Sequence, residues 1–156
     1  MNKQQIRRSL IIVPMLALLV ALAGSHHGQR INGIPIFMIC VALAFLINWL
    51  AFIPAYRHQT EKYYDLTGSF TYISVTIVAL VLSGNFDVRS VLLAVLVMIW
   101  ATRLGTFLYR RIQQSGKDDR FDKIKPDFFR FLNAWGIQAL WVTLTSAPAI
   151  IAITAT

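Results

Sequence analysis

Charge is what this sequence is short of. Charged residues make up 14% of its 156 positions, where a soluble domain usually carries about 25%. A surface built from so few charges is not made for water alone. Acidic residues are the scarcest, 7 against 15 Lys and Arg, for a net charge of +8. A basic chain can suggest nucleic acid, but these cations sit beside long apolar runs, as they do where a protein meets a membrane. No nucleic-acid partner is expected. A single cysteine, Cys40, excludes an internal disulfide and reads as a small apolar residue inside a hydrophobic run. There is no Walker loop, GxGxxG, nucleophile elbow or CxxC pair. The adjacent His26 and His27 point to different faces of any regular element, so no metal site is expected.

What the sequence has is apolar length. Five stretches stand out, near 9–24, 34–55, 66–83, 91–109 and 134–156. A helix needs about 20 apolar residues to cross the hydrocarbon, and backbone groups cannot be left unpaired in lipid, so each stretch reads as a helix. The expectation is an all-α, polytopic membrane helix bundle forming one domain over 1–156. Gly33 and Pro35 are read as opening the second helix, Gly68-Ser69 as a break before the third, and Ser83-Gly84-Asn85 as its close. Ser90 is read as the cap of the fourth helix and Asn133 as the cap of the fifth, which Pro148 kinks while Thr145 or Ser146 satisfies a freed carbonyl.

Loop charge sets the orientation. If the N-terminus is cytoplasmic, the segments on that side, including loops 56–65 and 110–133, carry twelve Lys and Arg against Arg30 and Arg89 opposite. The positive-inside rule therefore places the N-terminus in the cytoplasm. The first stretch has a second reading: a basic start, an apolar run and Ala21-Leu22-Ala23 also resemble a cleavable signal peptide over 1–23.

Four constellations could carry chemistry. In the first, His58, Glu61 and Asp65 fall on one face if helical, beside Tyr63 and Tyr64. A partly desolvated carboxylate pair at a membrane boundary can hold a proton for transfer. The plainer alternative is an interfacial loop with a tyrosine belt and ordinary ion pairs. In the second, Arg103 lies within the fourth apolar run, where a central charge costs about 2.5–3.5 kcal/mol on insertion scales. It either snorkels to the interface or meets a phosphate or carboxylate. In the third, the mixed-sign segment around Lys117, Asp118, Asp119 and Arg120 reads as an ordered loop, or with Arg110 and Arg111 as a phosphate clamp. In the fourth, Gln138 and Trp141 sit one helical turn apart, so a buried amide can face the bundle beside an interfacial indole.

Taken in order, the strings TEKYYDLTGSFTYISV (60–75), WATRLGTFLYRRI (100–112), GKDDRFD (116–122) and WGIQALWV (135–142) resemble the domain-of-unknown-function 1295 family of bacterial membrane proteins, related to steroid 5-alpha-reductases. The resemblance implies a helical reductase of the bacterial inner membrane. It would use NADPH to reduce a carbon–carbon double bond conjugated to a carbonyl in a lipid or isoprenoid. Glu61 is the position most like the relatives' catalytic carboxylate, with Asp65 beside it. Their aromatic hydroxyl falls near Trp100, which has no acidic proton, so Tyr63 or Tyr64 is the substitute within the chain. Arg103 and Arg111 resemble cofactor-phosphate contacts, with Asp119 and Arg120 nearby, while Trp100 and Gln138 are candidates for the substrate wall. The relatives continue through further helices and an Arg-His-Pro-Asn-Tyr motif that these residues do not include. The expectation is half of an enzyme, completed by a second polypeptide or by oligomerisation; alternatives are a noncatalytic membrane subunit and a small transporter.

Overall fold

The computed structural model describes residues 2–155. It is an all-α bundle of five helices: α1 (Lys3–Gly24), α2 (Ile36–Arg57), α3 (Tyr64–Ser83), α4 (Val88–Ser115) and α5 (Phe128–Thr154). All five are long and apolar enough to cross a membrane. A short hairpin, β1 (Arg30–Ile31) with β2 (Ile34–Pro35), joins α1 to α2, and a 3₁₀ turn at Asp119–Phe121 lies between α4 and α5.

The helices run past the apolar stretches because the backbone ladder does not stop where the hydrocarbon does. α1 begins at Lys3, where the Gln5 side chain accepts from the Asn2 backbone N–H at 2.8 Å. α4 continues through Arg110 and Arg111 to Ser115 and stops at Gly116, whose φ of +78° suits glycine. Its cap is Asp87, and Ser90 is buried inside the first turn. Asp127, accepting from the Arg130 N–H at 3.1 Å, caps α5. Asn133 is therefore not a cap; it is buried in α5 and accepts from the Ser9 hydroxyl at 2.8 Å, joining α1 to α5.

Gly68 and Ser69 do not break the chain either. Both lie inside α3 and are buried, because in lipid small residues serve close helix approach more than termination. Gly33, with φ +83°, turns the hairpin, and α2 starts only at Ile36. Residues 58–63 form turns, so His58, Glu61 and Asp65 share no helical face, and no cluster among the described residues is fit to hold a metal. Thr145 and Ser146 bond back to the Trp141 and Val142 carbonyls, not to the Leu144 carbonyl that Pro148 frees.

α5 is the central helix and packs along α1, α2 and α3, whereas α4 leans mainly on α3. Apolar residues fill the interior and also cover the outer surface of the bundle. α1 presents Val13, Ala17 and Ala21 to the bundle at four-residue spacing, while Ile11, Met15, Leu18 and Leu22 face outward. At the end away from the cation-rich loops, Asn85 and Arg89 donate to the Ile153, Ala155 and Ala152 carbonyls, which the end of α5 would otherwise leave unpaired. At the cation-rich end, Phe52, Ala55, Phe121, Phe131 and Trp135 form a second apolar cluster under the α4–α5 loop.

Candidate functional site: a cleft near the basic end

α3 carries Tyr64, Gly68 and Tyr72 at four-residue spacing, which puts them on one face, turned toward α5. A Cβ on Gly68 would meet the Gln138 amide at 3.2 Å, so glycine lets that amide lie against the α3 backbone. Gln138 Nε2 donates to Asn48 Oδ1 and to the Tyr64 carbonyl, both at 2.9 Å. Asn48 Nδ2 in turn donates to the Ala44 carbonyl at 2.8 Å and to Thr71 Oγ1 at 3.2 Å. This buried knot ties α2, α3 and α5. Gln138→Leu leaves Asn48 Oδ1 and a helix-start carbonyl without that donor, an expected loss of ~1–2 kcal/mol; reversible unfolding of the purified protein in detergent measures it.

Above the knot, α3, α4 and α5 enclose a cleft of about 290 Å³. Leu104, Leu108, Ile137 and Val142 make its apolar walls, and Asp65, Tyr72 and Gln138 supply its polar atoms. Trp100 and Trp141, exposed on the outer surface of the bundle, stand at its rim. The Tyr72 ring packs edge-on to Trp100 with centroids 5.0 Å apart. The Tyr72 hydroxyl is bonded to Thr145 Oγ1, and because Thr145 gives its own proton to the Trp141 carbonyl, the phenol is the donor. A second, more apolar cleft of about 540 Å³ opens on the other side of the α3–α4 seam, between Ile47, Phe70, Ala101 and Gly105.

At the basic end the geometry is one of paired charges. Glu61, 5% exposed, accepts from Lys125 Nζ at 2.6 Å and from the Asp118 backbone N–H at 2.8 Å. Burial pushes its carboxyl pKa up, but the hydrogen bonds from Lys125 and Asp118 outweigh that and hold it below its ordinary value. Arg120 forks onto both oxygens of Asp118, which holds that carboxyl low against the opposing effect of burial. Lys117 bridges Asp119 at 3.0 Å and Asp122 at 2.9 Å. Arg111 sits 3.7 Å from Asp65, a loose pair that leaves most of its donors free.

The residues singled out from sequence are therefore only partly brought together. Asp65, Tyr64, Trp100 and Gln138 meet in the cleft. Arg111 pairs with Asp65, and Arg120 lies within electrostatic range of both Asp65 and Tyr64. Glu61 is turned away under the loop, and the Tyr64 hydroxyl is committed to the Ala134 carbonyl at 2.8 Å. Asp119 is held by Lys117 in the loop, and Arg103 lies on the outer face of α4 beside Arg110. The hydroxyl that sequence reading missed is Tyr72. Its signal was present in the Tyr64–Gly68–Tyr72 spacing, but its nearness to Trp100 is a contact between helices.

A five-helix bundle with lipid-facing outer surfaces and a cleft near one end defines a multi-pass membrane protein. The chain belongs to the family described as protein of unknown function (DUF1295), whose family model matches residues 51–156, from the last turns of α2 through α5. No curated protein and no solved structure gives a significant match.

Proposed function

We propose that this chain is the substrate-binding half of a membrane-embedded, NADPH-dependent reductase acting on a carbon–carbon double bond conjugated to a carbonyl. It would lie in a bacterial inner membrane with its basic end in the cytoplasm. The observation that carries the reading is the cleft: apolar walls, indoles at a lipid-facing rim, and a phenol donor on the same face of α3 as Asp65, two turns away. Such a site suits a lipid or isoprenoid that enters from the bilayer with one polar oxygen.

Within this reading Tyr72 donates to the carbonyl oxygen, which becomes an enolate oxyanion as hydride reaches the β-carbon, and a proton from water at the α-carbon then restores the carbonyl. Thr145 makes that possible by rotating its hydroxyl to donate to Tyr72, which frees the phenol proton for the substrate. NADPH supplies the hydride. For its phosphates the chain offers the exposed guanidiniums of Arg111 and Arg120, each already oriented by a carboxylate. A wall for the nicotinamide is not found among the described residues, and the reading assigns it to a second polypeptide or a second copy of the chain. Glu61, Tyr64 and Gln138 act as positioning residues: the first pins the loop bearing Arg120, and the others fix the start of α3.

Tyr72→Phe removes one oxyanion donor and is expected to lower enone reduction about 100-fold with little change in fold. NADPH consumption by native membranes given a long-chain cyclohexenone measures it. A specific observation favours a second reading, a noncatalytic subunit: the carboxylate most like the relatives' catalytic one has both oxygens occupied. Reduction that needs this chain but is indifferent to Tyr72→Phe and Asp65→Asn selects that reading.

A further inference from the structure

Arg103 has no hydrogen bond or ion pair among the described residues, and it stands exposed on the outer face of α4. The stacked rings of Tyr63 and Tyr109, 6.4 Å apart, mark an interfacial belt. Arg103 lies six residues beyond Tyr109 toward the bilayer interior, ~9 Å along the helix. Packing gives the same depth, because Arg103 sits between the Gly105–Ser69 and Trp100–Tyr72 contacts. Snorkelling is opposed by direction. α4 runs toward the basic end, and helical side chains lean toward their own N-terminus. The stem of Arg103 therefore starts toward the bilayer centre, away from the nearer headgroups.

Arg103 and Arg110 share one groove with Ile99, Thr102, Thr106 and Phe107, all from α4. The two threonines, one turn apart, permit close approach of a helix. We infer that this face is an interface for a transmembrane helix of a second, different polypeptide carrying an Asp or Glu at the depth of Arg103. The described helices of a second copy of this chain do not supply that acid. Its 7 acidic residues all lie in loops or at Asp65, and Asp65 is the second residue of α3 and faces Arg111. The inference rests on α4 crossing the bilayer and not on the redox reading of the cleft, so either can fail alone.

The test places a benzoylphenylalanine photocrosslinker at Ile99 or Phe107 of the full chain in its native membrane. The expected product is an adduct with a different polypeptide whose crosslinked segment is apolar and contains Asp or Glu. Its yield should fall about tenfold in Arg103→Leu and persist in Arg103→Lys. Leucine favours insertion, so loss of the adduct is not loss of the helix. Arg103→Glu paired with Lys in place of the partner's acid should restore it. Adducts with lipid only, with a second copy, or with a segment lacking an acid overturn the inference, as does any adduct indifferent to Arg103→Leu, or no adduct.

Discussion

Glu61→Ala is expected to release the α4–α5 loop from the bundle while leaving the five helices inserted. The side chains of Glu61 and Lys125 are 3% and 16% exposed, so removing the carboxylate leaves the ammonium with the looser Asp122 pair at 3.5 Å and also unpairs the Asp118 N–H. Breaking a buried pair from one side typically costs ~3–5 kcal/mol, which is larger than a surface loop needs to stay docked. The loss therefore appears as local opening, with hydrogen exchange across 117–125 faster by roughly 100-fold or more. Phe121, buried against Tyr64 and Phe131, should become accessible at the same time. Exchange measured by mass spectrometry in nanodiscs checks this. Lys125→Met should open the loop less than Glu61→Ala, because Glu61 then keeps the Asp118 N–H.

The same pair fixes a pH dependence. The folded Glu61 pKa lies below its ordinary value of 4.5. The docking stability from its ionised form is thus fully present above about pH 4.5 and is lost as pH falls through the lower, folded value. Loop protection, corrected for the intrinsic pH dependence of amide exchange, should fall on acidification, and less so in Glu61→Gln, where the likewise depressed Asp118 and Asp122 carboxyls still titrate.

Gly105→Leu is expected to separate α4 from α3. A Cβ at this position would lie 2.6 Å from both Cβ and Oγ of Ser69, closer than packed atoms tolerate, and leucine adds bulk beyond it. Overpacking commonly costs ~1–3 kcal/mol. The upper end applies here because α4 leans on little besides α3. Both clefts are built on this seam, so both should lose shape. Gly105→Ala is the milder form, and Ser69→Gly removes the two atoms it would strike. The double variant should therefore recover most of the loss, a coupling that an unfolding series in detergent reads directly. Equal losses in Gly105→Ala and the double variant would show that the seam is not what glycine protects.

The helices were legible in the sequence because a bilayer imposes length and apolarity on each span separately, with no knowledge of its neighbours. The helix ends were less so: 3–8 of α1 and 110–115 of α4 are polar except for the buried Ile6 and Ile112, yet remain helical, since water accepts a helix as readily as a loop. Gly68-Ser69 and Asn133 read as punctuation by soluble-protein habit, while lipid turns them to packing and to a bond between α1 and α5. The site was legible only where its members are close in sequence. Asp65 stood out as a membrane-edge acid. The occupation of Glu61 depends on Asp118 and Lys125, 57 and 64 residues away, and the role open to Tyr72 depends on which helix packs beside α3.

The central claim is that the cleft between α3, α4 and α5 takes a lipid-borne carbonyl onto the Tyr72 hydroxyl. The most direct measurement is the infrared carbonyl stretch of a ¹³C=O-labelled long-chain cyclohexenone, titrated into the protein in nanodiscs. The account predicts a saturable band shifted to lower wavenumber with wild type, absent with Tyr72→Phe and weakened when Leu104→Trp fills the cleft. A spectrum identical to that of the enone in empty nanodiscs, or a shift that survives Tyr72→Phe, would contradict it.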